Sequence, residues 1–142
     1  MTAGNHAPSL TDASLAARLS ARFVEAVTTP CLAWLDDLLT DDFSIYYGMT
    51  GKALPRAEAL EFFRGYFPTI RLRYRDIRLK PTTNGWVQQH IVDTDGENGF
   101  RIRDLHVCMV VTLDGEKISH IAEYLDSAQA GGFDSSRLGR AG

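Results

Sequence analysis

Thr69 divides this chain into two parts with different hydrophobic periods. Before it, apolar residues recur every three or four positions: Leu15, Leu19, Phe23 and Val27 form one stripe, and Leu60, Phe63 and Phe67 another. That is the spacing of helices with one buried face. After it the period is two, with Ile70, Leu72 and Tyr74 separated by Arg71, Arg73 and Arg75, as in strands with one buried face. Helices first and strands second imply an α+β fold, with the helices gathered on one face of a mostly antiparallel sheet.

The punctuation residues divide each part further. Residues 9–28 read as a first helix, with Ser9, Thr11 or Asp12 as N-cap. Pro30 suits the first turn of a short second helix whose Leu32, Leu35, Leu38 and Leu39 face inward. Phe43 to Tyr47 alternates as a strand, Gly48 and Gly51 break it, Pro55 opens a third helix and Pro68 closes it. In the next strand the apolar face moves from even positions (Ile70, Leu72, Tyr74) to odd ones (Ile77, Leu79). A parity change within one strand predicts a β-bulge near Arg75 and Asp76. Asn84-Gly85 and Asp114-Gly115 are hairpin signals, so the rest is an antiparallel meander through Trp86–Asp93, Phe100–Leu113 and Glu116–Ser127. Three helices closing one end of a strongly curved sheet make a cone, and its mouth is a natural small-molecule pocket.

Composition excludes several classes of function. With 142 residues, 44% of them hydrophobic, the chain builds one core and not two domains. The expected domain is 9–129, with low-order tails at 1–8 and 130–142. A net charge of −3 leaves no electrostatic footprint for nucleic acid or an anionic membrane. No apolar run approaches the ~20 residues of a membrane span, and residues 1–14 lack the basic start and apolar core of a secretory signal. Cys31 and Cys108 show no ligand spacing and read as reduced thiols of a cytoplasmic protein. The four histidines show no metal spacing and no glycine-rich phosphate loop follows a strand, so neither metal nor cofactor is expected.

The candidate functional residues are polar groups on otherwise apolar strand faces. Glu123 shares its face with Ile121 and Leu125, where a carboxylate is costly unless paired or protonated. Asp104 and His106 stand two apart, on the face also expected to carry Phe100, Ile102, Cys108 and Val110; they read as a carboxylate orienting an imidazole or as a pair at a dimer interface. His90 lies on the face of Trp86 and Gln88, whereas His6 and His120 read as solvated. Tyr46 and Tyr47 are adjacent and point to opposite faces, so one of them lines the pocket. Asp93 ends its strand beside the Gly96 loop, as a catalytic acid or a turn-former. Phe23, Phe63, Trp86, Ile121 and Leu125 are expected to supply the apolar pocket wall. Arg71, Arg73 and Arg75 read as a solvated face or a row of salt bridges between subunits.

The element order resembles the nuclear transport factor 2-like superfamily, which includes ketosteroid isomerases, SnoaL-like cyclases, limonene-epoxide hydrolases and scytalone dehydratase. The segments that carry the resemblance are Leu38-Leu39-Thr40-Asp41-Asp42-Phe43-Ser44-Ile45, Ala59-Leu60-Glu61-Phe62-Phe63 and Asp114-Gly115-Glu116-Lys117-Ile118 with Glu123-Tyr124-Leu125-Asp126. The resemblance implies a cone-shaped, cystatin-like roll. The resemblance places Phe23 and Tyr47, by ungapped matching through the first half, and Met109, by counting back from the Asp114-Gly115 turn, where the steroid isomerases carry a tyrosine, a base aspartate and a protonated aspartate. Against limonene-epoxide hydrolases it places Tyr46, Asp93 and Glu123 on catalytic groups, with Gly48 and Ile91 where those enzymes have an asparagine and an arginine. The expectation is a cofactor-independent enzyme of isomerase, epoxide-hydrolase or dehydratase type acting on a small apolar molecule, as a homodimer. The alternative is a non-catalytic ligand-binding or homodimerising module of the same fold.

Overall fold

The computed structural model describes residues 9–126, 128 and 129; the expected tails at 1–8 and 130–142, and His6, lie outside them. Helix α1 (Ala13–Thr28) is capped by the Asp12 carboxylate, which accepts from the Ser14 and Leu15 N–H groups. Its stripe of Ala16, Leu19, Phe23, Ala26 and Val27 is buried. Helix α2 (Leu32–Leu38) starts after Cys31, so Pro30 lies just outside the helix and not in its first turn. Strand β1 (Leu39–Tyr47) follows without a loop. Strand β2 (Lys52–Pro55) pairs antiparallel with β1. Its four residues carry no apolar alternation, which is why it reads as a break in the sequence. Helix α3 (Arg56–Tyr66) begins one residue after Pro55 and ends before Pro68.

The meander is β3 (Ile70–Thr82), β4 (Gly85–Gly96), β5 (Arg101–Asp114) and β6 (Lys117–Leu125), with a 3-10 turn at Glu97–Gly99 between β4 and β5. Among the described residues six strands form one sheet in the order β2-β1-β6-β5-β4-β3. All neighbours are antiparallel except β1 and β6, which run parallel. The helices pack on one face of this sheet and bury Phe43, Ile45 and Tyr47 of β1, Trp86 and Val92 of β4, and Val107, Met109 and Val111 of β5. No helix among the described residues is long and apolar enough to cross a membrane.

Two bulges set which side chains face inward. In β3, Arg75 pairs with Ile91 and Arg78 with Gln89, leaving Asp76 and Ile77 opposite His90, with Asp76 at φ 53°. This is the bulge announced by the parity change. A second lies in β5, where Val92 pairs with Leu105 and Thr94 with Ile102, and Asp104 has φ 57°. The extra residue turns Ile102 and Leu105 both inward and sends Asp104, His106, Cys108 and Val110 to the outer face. Ile102 therefore does not share a face with Asp104 and His106.

Gly85 opens β4 with φ 156°, and a Cβ there would stand 1.8 Å from the Val111 carbonyl oxygen, a backbone atom. Gly85→Ala is expected to destabilise the protein by about 3 kcal/mol or more, because both strands must separate to admit the methyl group. Urea denaturation checks this; a loss under ~1 kcal/mol would show that the turn relaxes freely.

Candidate functional site

A cavity of about 70 Å3 lies between α1, α3 and the inner face of the sheet. Phe23 and Val27 of α1 and Phe62, Phe63 and Tyr66 of α3 form one wall, and Leu72, Tyr74, Val92 and Val107 lie on the sheet side. The polar groups in this apolar lining are Tyr47, Tyr66, Tyr74, His90, Thr94 and Glu123. Each strand residue among them arrives by simple alternation: Tyr47 follows Phe43 and Ile45, Glu123 follows Ile121, and His90 and Thr94 continue the even-numbered face of Trp86 and Gln88.

Glu123 is the only acidic or basic residue among the described lining apart from His90. Burial pushes its carboxyl up from 4.5 to about 7, since desolvation disfavours the anion. Burial, and then the nearby Glu123 charge, push the Tyr47, Tyr66 and Tyr74 hydroxyls well above the usual phenol range. All three therefore keep their protons at neutral pH and can donate hydrogen bonds. Tyr47 packs on Phe62, with ring centroids 5.7 Å apart, and Phe62 stacks on Tyr66 at 5.4 Å.

His90 is 3% exposed and its ring stacks on Tyr74 with centroids 4.4 Å apart. A buried chain of hydrogen bonds runs behind it. Ser20 Oγ and Trp86 Nε1 meet Gln88 Oε1 at 2.7 and 3.1 Å, and Gln88 Nε2 meets His90 Nδ1 at 3.1 Å. Burial depresses the imidazole to about 4, so the ring is neutral at pH 7. His90 Nε2 and Thr94 Oγ1 are buried without a hydrogen-bond partner among the described residues.

The other candidates fall outside the cavity. Tyr46 points to the opposite face of β1 and packs near Tyr124, with centroids 6.1 Å apart, so of the tyrosine pair it is Tyr47 that lines the site. Asp93 is on the outer face of β4, yet only 4% of its side chain is exposed. It accepts from Arg73 Nη2 at 2.7 Å, Arg75 Nε at 3.2 Å and the Asp104 N–H at 3.0 Å. These donors hold its carboxyl well below the usual range, Arg75 first and Arg73 second. Asp93 is a structural anchor that ties the β5 bulge to β3, not a cavity acid, and Arg73 and Arg75, on a solvent-facing side of β3, form their salt bridges to it within the chain. Asp104 is exposed and bonds Arg75, not His106. His106 is exposed on the outer face, in a shallow groove with Asp76, Arg78, Cys108 and Tyr124. Parity excludes the Asp104–His106 pair from the cavity once the β5 bulge is counted. Trp86 and Ile121 are buried in the core beneath the lining and do not form part of it, whereas Phe23, Phe63 and Leu125 do line it. His120 is half-buried, with Nδ1 2.7 Å from Ser44 Oγ, so it is solvated only in part. Cys31 and Cys108 are free thiols. No cluster of three or more His, Cys, Asp or Glu side chains among the described residues has metal-site geometry.

Sequence reasoning missed Tyr66, Tyr74 and Thr94 as lining residues. The signals were present: Tyr66 lies one turn beyond Phe62 and Phe63, Tyr74 continues Ile70 and Leu72, and Thr94 extends the even face of β4.

Solved structures with this architecture are numerous. One is an LEH-like epoxide hydrolase from M. tuberculosis, with a TM-score of 0.72 at 16% identity over 88% of this chain and 92% of that one. Another is a nuclear transport factor 2-like protein from Burkholderia xenovorans LB400, with a TM-score of 0.70 at 10% identity over 88% and 97%. The chain has the nuclear transport factor 2-like fold. A bacterial protein with a cystatin-like fold, from Silicibacter pomeroyi DSS-3, is similar at a TM-score of 0.64 and 17% identity over 86% and 84%. No family model matches the chain, and no curated protein matches it. At these identities the likeness defines the nuclear transport factor 2-like fold alone, and chemistry has to be argued from the cavity.

Proposed function

We propose that this protein is an acid–base isomerase of small, mostly apolar carbonyl compounds, working with its own side chains. The observation that carries the reading is Glu123: one carboxyl in an apolar cavity, poised near neutrality, among hydroxyls that stay protonated. Glu123 as carboxylate takes a proton from the carbon next to a carbonyl, the electron pair moves onto the carbonyl oxygen, and a protonated donor receives the developing charge. The carboxylic acid so formed returns the proton to a different carbon. One carboxyl suffices for this transfer. Hydrolysis or dehydration by a pair of carboxylates needs a second one in the cavity, and Asp93, which would have supplied it, pairs with Arg73 and Arg75 outside it.

The test is proton exchange. The β,γ-unsaturated isomer of cyclohexenone, incubated with the protein in D2O and followed by NMR, is expected to incorporate deuterium and convert to the conjugated isomer. The rate should rise with pH and level off above about 7, as Glu123 ionises. His106→Ala should match the parent, since His106 is outside the cavity. Exchange that is unaltered in Glu123→Gln would overturn the proposal. Binding of enones with no exchange at any pH would favour the ligand-binding module instead.

A further inference from the structure

We propose that His90 is the group that receives the substrate oxygen, held as an Nε2–H donor by Gln88, with Ser20 and Trp86 as positioning residues behind it. This rests on the carbonyl reading of the cavity and deepens it.

The chain of donors leaves one consistent assignment. An indole N–H only donates, so the Gln88 atom 3.1 Å from Trp86 Nε1 is an oxygen. Ser20 Oγ, 2.7 Å from the same atom, donates to it as well. The other end of the Gln88 amide is therefore NH2, which only donates, and His90 Nδ1 at 3.1 Å must accept. In a neutral imidazole the proton then sits on Nε2. That nitrogen is buried, without a partner among the described residues, on a residue in the cavity wall. A buried donor left unmade costs about 1–3 kcal/mol, so such a group usually has a partner. A neutral carbonyl oxygen in the cavity satisfies it without bringing in charge. The neutral ring also has no proton to spare for Glu123, so the carboxylate remains the base while the imidazole polarises the oxygen.

Two measurements test this. In ¹⁵N-histidine-labelled native protein at neutral pH, His90 should show a protonated Nε2 and an unprotonated Nδ1. Gln88→Leu should move both nitrogens toward the average of two exchanging tautomers. A native Nδ1–H tautomer, or an Nε2–H tautomer that persists unaltered in Gln88→Leu, overturns the relay, and neither result depends on turnover. In the second measurement, conjugated cyclohexenone labelled with ¹³C at the carbonyl is titrated into the protein. Its carbonyl resonance should move downfield on binding, and His90→Phe, which keeps a flat ring against Tyr74, should abolish that shift and weaken binding about tenfold, the worth of one hydrogen bond. A shift that survives in His90→Phe would assign the oxygen to Thr94 or a tyrosine and overturn the proposal. Failure of the enone to bind at millimolar concentration would overturn it too. Loss of exchange in Glu123→Gln with an intact carbonyl shift would support both readings separately. An intact shift with no exchange by the parent protein would leave the oxygen site standing and remove the isomerase.

Discussion

Glu123→Gln is expected to stabilise the protein and silence it at once. The Glu123 carboxyl titrates near 7 in the folded protein against 4.5 for an unperturbed glutamate. The folded state therefore holds its proton over a pH range where the unfolded chain has released it. Folding stability contributed by this group is complete below about pH 4.5 and falls as pH rises toward 7, where the buried anion has to be tolerated. The difference amounts to up to about 3 kcal/mol above pH 7, at 1.36 kcal/mol per unit. An amide of nearly the same shape carries no charge at any pH. In urea denaturation the variant should be more stable than the parent by up to that amount at pH 8, and the difference should vanish as pH falls to about 4. Proton transfer should fall by about 10²–10⁴-fold, the usual contribution of a positioned base. A stability gain independent of pH would mean that the carboxyl is solvated and not poised.

The opposite behaviour is expected on the outer face. Replacing both Arg73 and Arg75 by Met strips the charge partners from a carboxylate with 4% exposure. Leaving a buried charge unpaired typically costs 3–5 kcal/mol. Arg73 is 73% exposed and Arg75 36%, so solvent screens both partly and the lower end, about 3 kcal/mol, is expected. Adding Asp93→Ala to the double variant should restore much of the loss, because the charge itself is gone. Since the arginines hold the Asp93 carboxyl below its usual range, its contribution is present above the unfolded value near 4 and is lost as pH falls through the folded one. The parent should lose stability on acidification below pH 4, and the double variant should lose less. A double variant as stable as the parent would show that the Asp104 N–H alone suffices to hold Asp93.

The same local signal succeeded at Glu123 and failed at His106 because of chain geometry. Alternation placed Glu123, Leu125 and one of the adjacent tyrosines on the inner face, and β6 and the end of β1 run regularly there. In β3 the hydrophobic face itself changes parity, so the bulge at Asp76 was legible. In β5 it was not: Asp104 takes a left-handed conformation without glycine to announce it, held in part by Asp93 across the strand pair. Strand β2 was invisible because its four residues, Lys52–Pro55, carry no apolar alternation and only their pairing with β1 makes them a strand.

The amino-acid sequence by itself determined the α+β class, the helix-then-meander order, the β3 bulge and the presence of a costly carboxylate on an apolar face. These follow from periodicity and from local backbone preferences, which neighbouring residues express. Only the tertiary structure decided which carboxylate is poised and which is paired. Glu123 and Asp93 are both acids on strands, and their separation in behaviour arises from what lies across from them: aromatic rings from two helices in one case, two guanidinium groups from a neighbouring strand in the other. Desolvation and charge pairing act through space, between residues far apart in the chain, and are set only once the sheet and helices close around them.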